Sequence, residues 1–538
     1  MAEKVKSLIL AESAGAARAI KKFAGSSYSV ISTEGFLKDL PRSRIGIDAE
    51  NGYAPDYITV RGKGPLLNEL KKKTANAGRI FLATNPNAAG EFLALQCCEL
   101  FGINEKSNCR VIIDEFTKTA VKAALKNARP IDMKLVDAFQ TRQLIDKFIS
   151  HRVGEYLECK IFRGVKVGRF RAMLLKLIST LKPAENFELS GALNFGRLQE
   201  LALAKLNFST PKTRLLTDQL YEGFDECGGL IKYPHGGAIR LTDEVREPAS
   251  VKDFLTENQF KLYELIYAAA DGVSEKVALD GKVTDLTVTA ALDELGVGWA
   301  EFYSIGINSL LKRKYIAAGA TGYAVTDLGK RVLDALDGFF DEIFSVATYR
   351  EISAQIDAVA DGKADKNSVI AKYCGAFSEN FSAAMDSLGE DANPQDELSD
   401  EVCDKCGRQM IVKHGRYGTF LACSGYPECQ NIKPHLDYLA QKCPKCGGRI
   451  TRQSFRGGRH LYGCEACDFR TWDDPLENPC KECGSTMFAH KFRGRASMVY
   501  CGNENCSTRQ NHPINKILDD AKRRHEARKN LKESKKKN

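Results

Sequence analysis

The chain has 538 residues, long enough for three or more domains, and its hydrophobic share of 43% is that of a protein with buried cores. No apolar run approaches the ~18 residues of a membrane span. The net charge of +9 is modest but unevenly placed, and the 18 cysteines fall mostly in paired clusters after residue 400 with no convincing secretion signal, which argues for zinc in a reducing compartment rather than a disulfide framework.

The first residues, MAEKVKSLILAESAGA, contain a short apolar patch like the core of a signal peptide. Glu12 interrupts it and a strand–turn–helix pattern follows, so residues 6–12 predict a buried strand ending in an acid. SAGAARAIKKFAG then predicts a tight turn and a helix. A second strand, RIFLATN (79–85), runs through NPNAAGE into the helical FLALQCCELFG. Strands alternating with helices predict an α/β sheet whose site lies at the carboxyl ends of the strands.

Residues 110–154 predict a loop and two amphipathic helices, and ENQFKLYELIYAAA (257–270) another helix. Residues 286–316 and 322–336 predict a helix–turn–helix, a two-stranded wing and a further helix, with Gly296 and Gly298 at the turn. Trp299 beside that turn is suited either to stacking on a base or to core packing. GEDANPQDELSDE (389–401) is an acidic linker.

After it comes a module repeated three times at intervals of about 40 residues. Cys403 and Cys406 are answered by Cys423 and Cys429, Cys443 and Cys446 by Cys464 and Cys467, and Cys480 and Cys483 by Cys501 and Cys506. Two such knuckles bring four thiolates around one tetrahedral Zn²⁺ in the closed geometry of a structural site, so three zinc ions are expected. Each unit is too short to bury a core, and metal binding supplies most of its folding free energy. Between the knuckles lie basic and aromatic residues, among them Arg416, Tyr417, Arg456 and Arg493. Such residues hold phosphates and stack unpaired bases, although a small ribbon also needs aromatics for its own core. The final stretch, KRRHEARKNLKESKKKN, is a basic tail suited to phosphate backbones or to solubility alone.

Several of these segments together resemble the type IA DNA topoisomerase family. Glu12 and Ser13, then Asp39, Leu40 and Pro41, then Gly90 and Glu91 match its Toprim domain. The departures fall on the chemistry. The family's acidic loop aspartates are Asn85 and Asn87, its first loop glutamate is Ala89 and its arginine Ala88. The lysine of its first stretch is Ala16, and the histidine before Asp–Leu–Pro is Phe36. Mg²⁺ needs anionic oxygens, which an asparagine carbonyl does not supply, so Mg²⁺ is not expected and Glu12 and Glu91 are the remaining candidates. Glu91 at a helix start serves the helix dipole equally well.

Gly168 and Arg169 match a Gly–Arg–Val–Gln segment whose glutamine is Arg171. Arg142, Arg169 and Arg171 are candidates to face a phosphate backbone, or to be solvated helix faces. Residues 194–234 resemble the approach to the catalytic tyrosine, which places Tyr233 at the nucleophile and makes Tyr233 and Glu12 the catalytic remnants. The arginine two residues on is His235, and GGAIRLTD (236–243) resembles a segment that the family carries dozens of residues later. The resemblance therefore implies that the tyrosine-bearing gate domain is lost.

The implied architecture is a multidomain α/β plus α chain with a reduced arch and gate. Its parts are a Toprim-like α/β domain (1–128), a helical core in two parts (129–182 and 285–388) with a winged-helix character, and a reduced arch with the tyrosine remnant (183–284). The linker, three ribbons (402–435, 441–476, 478–516) and the tail (517–538) complete it. The expected function is binding of single-stranded DNA without cleavage, with RNA as an alternative ligand, in the cytoplasm or on a bacterial nucleoid. The competing expectations are an active topoisomerase using Tyr233, and a zinc-ribbon scaffold for transcription or replication proteins.

Overall fold

The computed structural model describes residues 7–182, 186–224, 227–235, 237–278, 281–297, 300–319, 322–389, 394, 396–415, 418–455, 459–491, 497–510 and 512–517. Trp299, Arg416, Tyr417, Arg456, Arg493 and the tail from residue 522 lie outside the described residues. Two compact units emerge, Met1–Gln395 and Asp396–Asn538.

In the first unit, β1 (Ser7–Ala11), β2 (Tyr28–Ser32) and β3 (Ile80–Ala83) form a parallel sheet in the order β2-β1-β3. A lone bridge from Leu82 to Arg110 extends its edge. α1 (Ala14–Ala24) follows β1 and α2 (Gly64–Ala75) precedes β3. α3 (Ala88–Phe101) follows β3. β1 is buried on both faces, as a strand in a helix-covered parallel sheet must be. Leu8 and Leu10 join Leu82, Phe92 and Leu93 in one core, while Ile9 and Ala11 face the other way.

That second core decides where the tyrosine lies. It combines Ile9, Phe81, Ile113 and Phe116 of the sheet domain with Leu198, Leu220, Tyr221, Ile231 and Tyr263. Val121 and Leu125 of α4 (Lys118–Lys126), which precedes α5 (Met133–Lys160) and α6 (Arg169–Thr180), also belong to it, and Leu198, Leu220, Tyr221, Ile231 and Tyr263 come from the layer beyond. That layer holds β4 (Asn186–Gly191), α7 (Phe195–Leu206), α8 (Thr210–Glu222), α9 (Glu257–Ala268) and β5 (Val273–Ala278). The helix–turn–helix and wing appear as expected: α10 (Asp285–Glu294), α11 (Ala300–Lys312), β6 (Ile316–Gly319), β7 (Gly322–Val325) and α12 (Asp327–Leu336). With α5, α6, α13 (Val346–Asp361) and α14 (Lys366–Asp386) they bury a third core around Phe148, Leu174, Phe340 and Phe377. Among the described residues no helix is long and apolar enough to cross a membrane.

The second unit is built from hairpins. β8 (Glu397–Val402) is an edge strand on β9 (Gln409–Gly415), so the second half of the expected linker is ordered against the first ribbon. β10 (Gly418–Cys423) pairs with β9 and, at Gly418–Phe455, with β13 of the second ribbon (Arg449–Phe455). Here β11 is Ile432–Pro434, β12 Asp437–Lys442 and β14 Arg459–Cys464. The second and third ribbons share a core of Ile450, Tyr462, Phe488, Tyr500 and Ile514.

Candidate functional site

β1 and β3 end side by side, and the chain beyond each end meets at Glu12 and Asn85. The Asn85 amide donates to Glu12 Oε2 at 3.0 Å. Glu12 is largely buried, and burial raises its carboxyl pKa above the usual range against the opposing pull of the Asn85 amide and Arg110. Gly90 permits the tight loop, because a Cβ there would stand 2.0 Å from the Asn85 carbonyl oxygen.

Asn87 has two tasks. Its Oδ1 accepts from the Gly90 amide at 2.8 Å and caps α3, and its Nδ2 donates to the Tyr233 hydroxyl at 2.5 Å. The structure therefore brings Glu12, Asn85, Asn87 and Tyr233 to one place, across 221 residues of sequence from Glu12 to Tyr233. The Tyr233 amide donates to the Asp114 carbonyl at 2.8 Å, so its backbone is tied to the sheet domain. Its ring meets those of Tyr221 and His235 edge-on, at 5.4 and 5.5 Å between centroids. His235 in turn shares a 2.8 Å hydrogen bond with Asp218.

Glu91 lies in the first turn of α3, as the dipole expectation had it, but its carboxylate is engaged by basic groups and is not open to an ion. It is fully buried, and its Oε1 accepts from Arg110 Nε at 2.9 Å and from an Arg129 Nη at 2.7 Å. Its Oε2 accepts from the Asp132 amide at 3.0 Å. Arg110, which no motif had marked, spans the loop: its Nη groups donate to the carbonyls of Thr84 at 2.9 Å and Asn85 at 2.7 Å. The signal for it was a single arginine in an otherwise apolar strand-like run, RVII, which becomes informative only once Glu91 lies opposite.

Glu91 is thus spent on structure, and the loop side chains that remain beside Glu12 are neutral amides. Among the described residues the groups of three or more acidic, histidine or cysteine side chains placed to hold an ion are the three cysteine sets alone. The donors at the Toprim-like site do not fit a hard divalent cation. The other substituted positions are structural: Phe36 packs against Phe92 and Phe139 at 5.7 and 5.4 Å, and Ala16 is buried in the first turn of α1. Asp39 binds its own neighbour, accepting from the Leu40 amide at 2.8 Å and from Gln143 of α5 at 3.1 Å.

The arginines of the helical core are engaged to different degrees. Arg169 is buried, bonded to Asp146 at 2.7 Å and stacked over Tyr349 at 4.4 Å. Arg142 lies 3.7 Å from the same Asp146. Arg171 folds back on the uncapped start of α6 at Gly168, and its buried Nε has no protein partner. Burial, then the neighbouring Arg313, lowers its pKa. Arg313 lines an open cavity of about 880 Å³ between α8 and α11, with Arg214, Lys312, Asn308, Ser309 and Asp218. Asp218 links that cavity to His235 and so to Tyr233.

In each ribbon the four predicted cysteines converge, with all Sγ atoms of a set within 4.8 Å of one another. That spacing and donor chemistry fit one tetrahedral Zn²⁺ per set, held by Cys403, Cys406, Cys423 and Cys429 and by the two later quartets. The ribbon aromatics divide. Tyr462 and Tyr500 are core, whereas Trp472 is half exposed beside Phe455 at 5.7 Å, and Tyr438 lies under Arg449 at 4.7 Å. Strand alternation puts Arg449, Thr451 and Phe455 on one face of β13, with Tyr438 opposite Thr451. Trp472, Tyr438 and Phe455 were not singled out beforehand, because sequence alone does not separate core from exposed aromatics in so small a unit.

Comparison with known proteins agrees with this layout. Residues 7–116 match the family model of the Toprim domain, and residues 400–438 and 440–475 match that of the topoisomerase DNA binding C4 zinc finger. The fold resembles full-length topoisomerase I from Thermotoga maritima, with a TM-score of 0.62 and 21% identity over 79% of this chain and 97% of that one. The chain thus carries a Toprim domain, a helical core and three C-terminal four-cysteine groups of the zinc-ribbon kind, in a fold similar to that of a topoisomerase I.

Proposed function

We propose that this is a DNA-binding, topoisomerase-like protein that holds single strands and does not cut them. The observation that carries the reading is the contact of Tyr233 with Asn87: the tyrosine keeps its place, but its hydroxyl meets a neutral amide in a loop with no spare carboxylate. Phosphodiester cleavage needs charge stabilisation around the non-bridging oxygens, and the side chains described around Tyr233 include the neutral Asn87 amide and the Tyr221 ring. A gate must also open between tyrosine and sheet, and here the two share one hydrophobic core.

Binding rests on two regions. In the first unit the cavity with Arg214, Lys312 and Arg313 suits a phosphate backbone. Arg142 and Arg169 shape its surroundings through Asp146. In the second unit Trp472 and Phe455 offer one stacking site, and Tyr438 next to Arg449 another. Arg416, Tyr417, Arg456 and Arg493 lie outside the described residues and are proposed to contact the same ligand.

A second reading is favoured by one observation. Glu12 is a buried carboxyl with a raised pKa at the same strand ends as Tyr233, a group able to hold a proton for a leaving oxygen. Relaxation of negatively supercoiled plasmid in the presence of Mg²⁺, with Tyr233→Phe as control, decides between the two. We expect no relaxation by either protein; relaxation that disappears in Tyr233→Phe overturns the first reading.

A further inference from the structure

We infer that the hydrogen bond between Ser13 and Glu222 is a clasp that keeps the tyrosine-bearing segment shut on the Toprim sheet. These residues stand 209 positions apart. Ser13 is the N-cap of α1, where its Oγ accepts from the Ala16 amide at 3.0 Å and donates to Glu222 Oε1 at 2.5 Å. Gly15 makes the approach possible, since a Cβ there would lie 1.7 Å from Glu222 Oε2. α1 has no acid in its own first turn, so the Glu222 carboxylate is the anion at the positive end of that helix.

Glu222 is the last residue of α8, and the chain turns directly after it toward Tyr233. Gly223, with φ of +84°, makes the turn, and a Cβ on it would stand 2.2 Å from the Gly228 backbone. Two neighbouring contacts share the joint: Lys22 Nζ donates to the Phe224 carbonyl at 3.2 Å, and Gly228 lies against Phe23 and the Phe116 carbonyl. The clasp therefore sits at the root of the segment and on its partly exposed rim, where charge can be removed without cutting into the core.

This inference goes beyond the proposed function, and its test involves neither nucleic acid nor activity. Amide hydrogen exchange at single-residue resolution on the full chain separates opening of the joint from unfolding of the segment. The Gly229 and Tyr233 amides bond across the joint, to the Phe116 and Asp114 carbonyls at 3.0 and 2.8 Å. The Leu230 and Lys232 amides bond on the near side, to Leu220 and Arg240 at 2.9 and 2.8 Å. In Glu222→Ala, Gly229 and Tyr233 should exchange about tenfold faster while Leu230 and Lys232 keep their rates, as expected for loss of a charge-assisted hydrogen bond. Ser13→Asp should behave alike, because aspartate still caps α1 but repels Glu222. Unchanged rates at Gly229 and Tyr233 in both variants overturn the clasp, and so does equal acceleration of all four amides.

Discussion

The Toprim-like site and the zinc ribbons differ in what they offer an ion: neutral amides beside Glu12 in the first, four cysteine thiols in each of the others. The difference lies in what each set of ligands does for the fold. The sheet domain stands on apolar cores and on the Glu91–Arg110 pair, so its fold does not rest on a bound ion. In a ribbon the ligands are the fold, because a first ribbon with a core of little more than Met410, Val412 and Leu421 has nothing else to hold it.

The sharpest way to break this contrast is to remove a zinc ligand. Cys443→Ala should lower bound zinc, measured by metal analysis, from three ions per chain to one or two. The third ribbon shares the second one's core and is expected to loosen with it, with a loss on the order of 10 kcal/mol of metal-coupled folding. Ribbon circular dichroism that survives the loss of metal would refute the contrast. The sheet domain has its own counterpart in Glu91→Gln, which leaves the buried Arg110 without its charge partner. The expected cost is about 3–5 kcal/mol in thermal or urea unfolding of the first unit. A neutral result would mean that the Glu91–Arg110 pair does not hold the sheet domain together.

A smaller effect comes from Glu200 on α7. Burial, reinforced by Asp293, pushes its carboxyl up to about 8 from 4.5. The unfolded chain ionises this group first, so stability should fall as pH rises from the usual carboxylate range through about 8 and then level off. Glu200→Gln should flatten that slope and add on the order of 2 kcal/mol above pH 8, read from pH-dependent urea midpoints. The smallest expected effect is a gain. Asn85→Asp with Asn87→Asp should create weak Mg²⁺ or Mn²⁺ binding, roughly millimolar, detectable by calorimetry where the parent shows none. Tight binding by the parent would show that the site had never lost its metal.

Much of this was legible from the chain. The strand ends at Glu12 and Asn85, the helix–turn–helix with its wing and all twelve cysteine ligands follow from period, punctuation and spacing, which are local properties. Glu91 shows the limit. Its motif and its helix position suggested a metal ligand or a dipole partner, but Arg110 and Arg129 decide its role, and neither is near it in sequence. The same holds for Arg169, whose Asp146 and Tyr349 partners convert an expected phosphate contact into a buried packing group.

What the amino-acid sequence determined by itself is the set of elements, the zinc ligands and the substitution of amides for acids, because each is written in neighbouring residues. Tertiary structure alone decided that Tyr233 reaches Asn87, that the tyrosine segment and the sheet share a core, and that Glu222 closes on Ser13. These are contacts between residues more than a hundred positions apart, selected by how the cores pack.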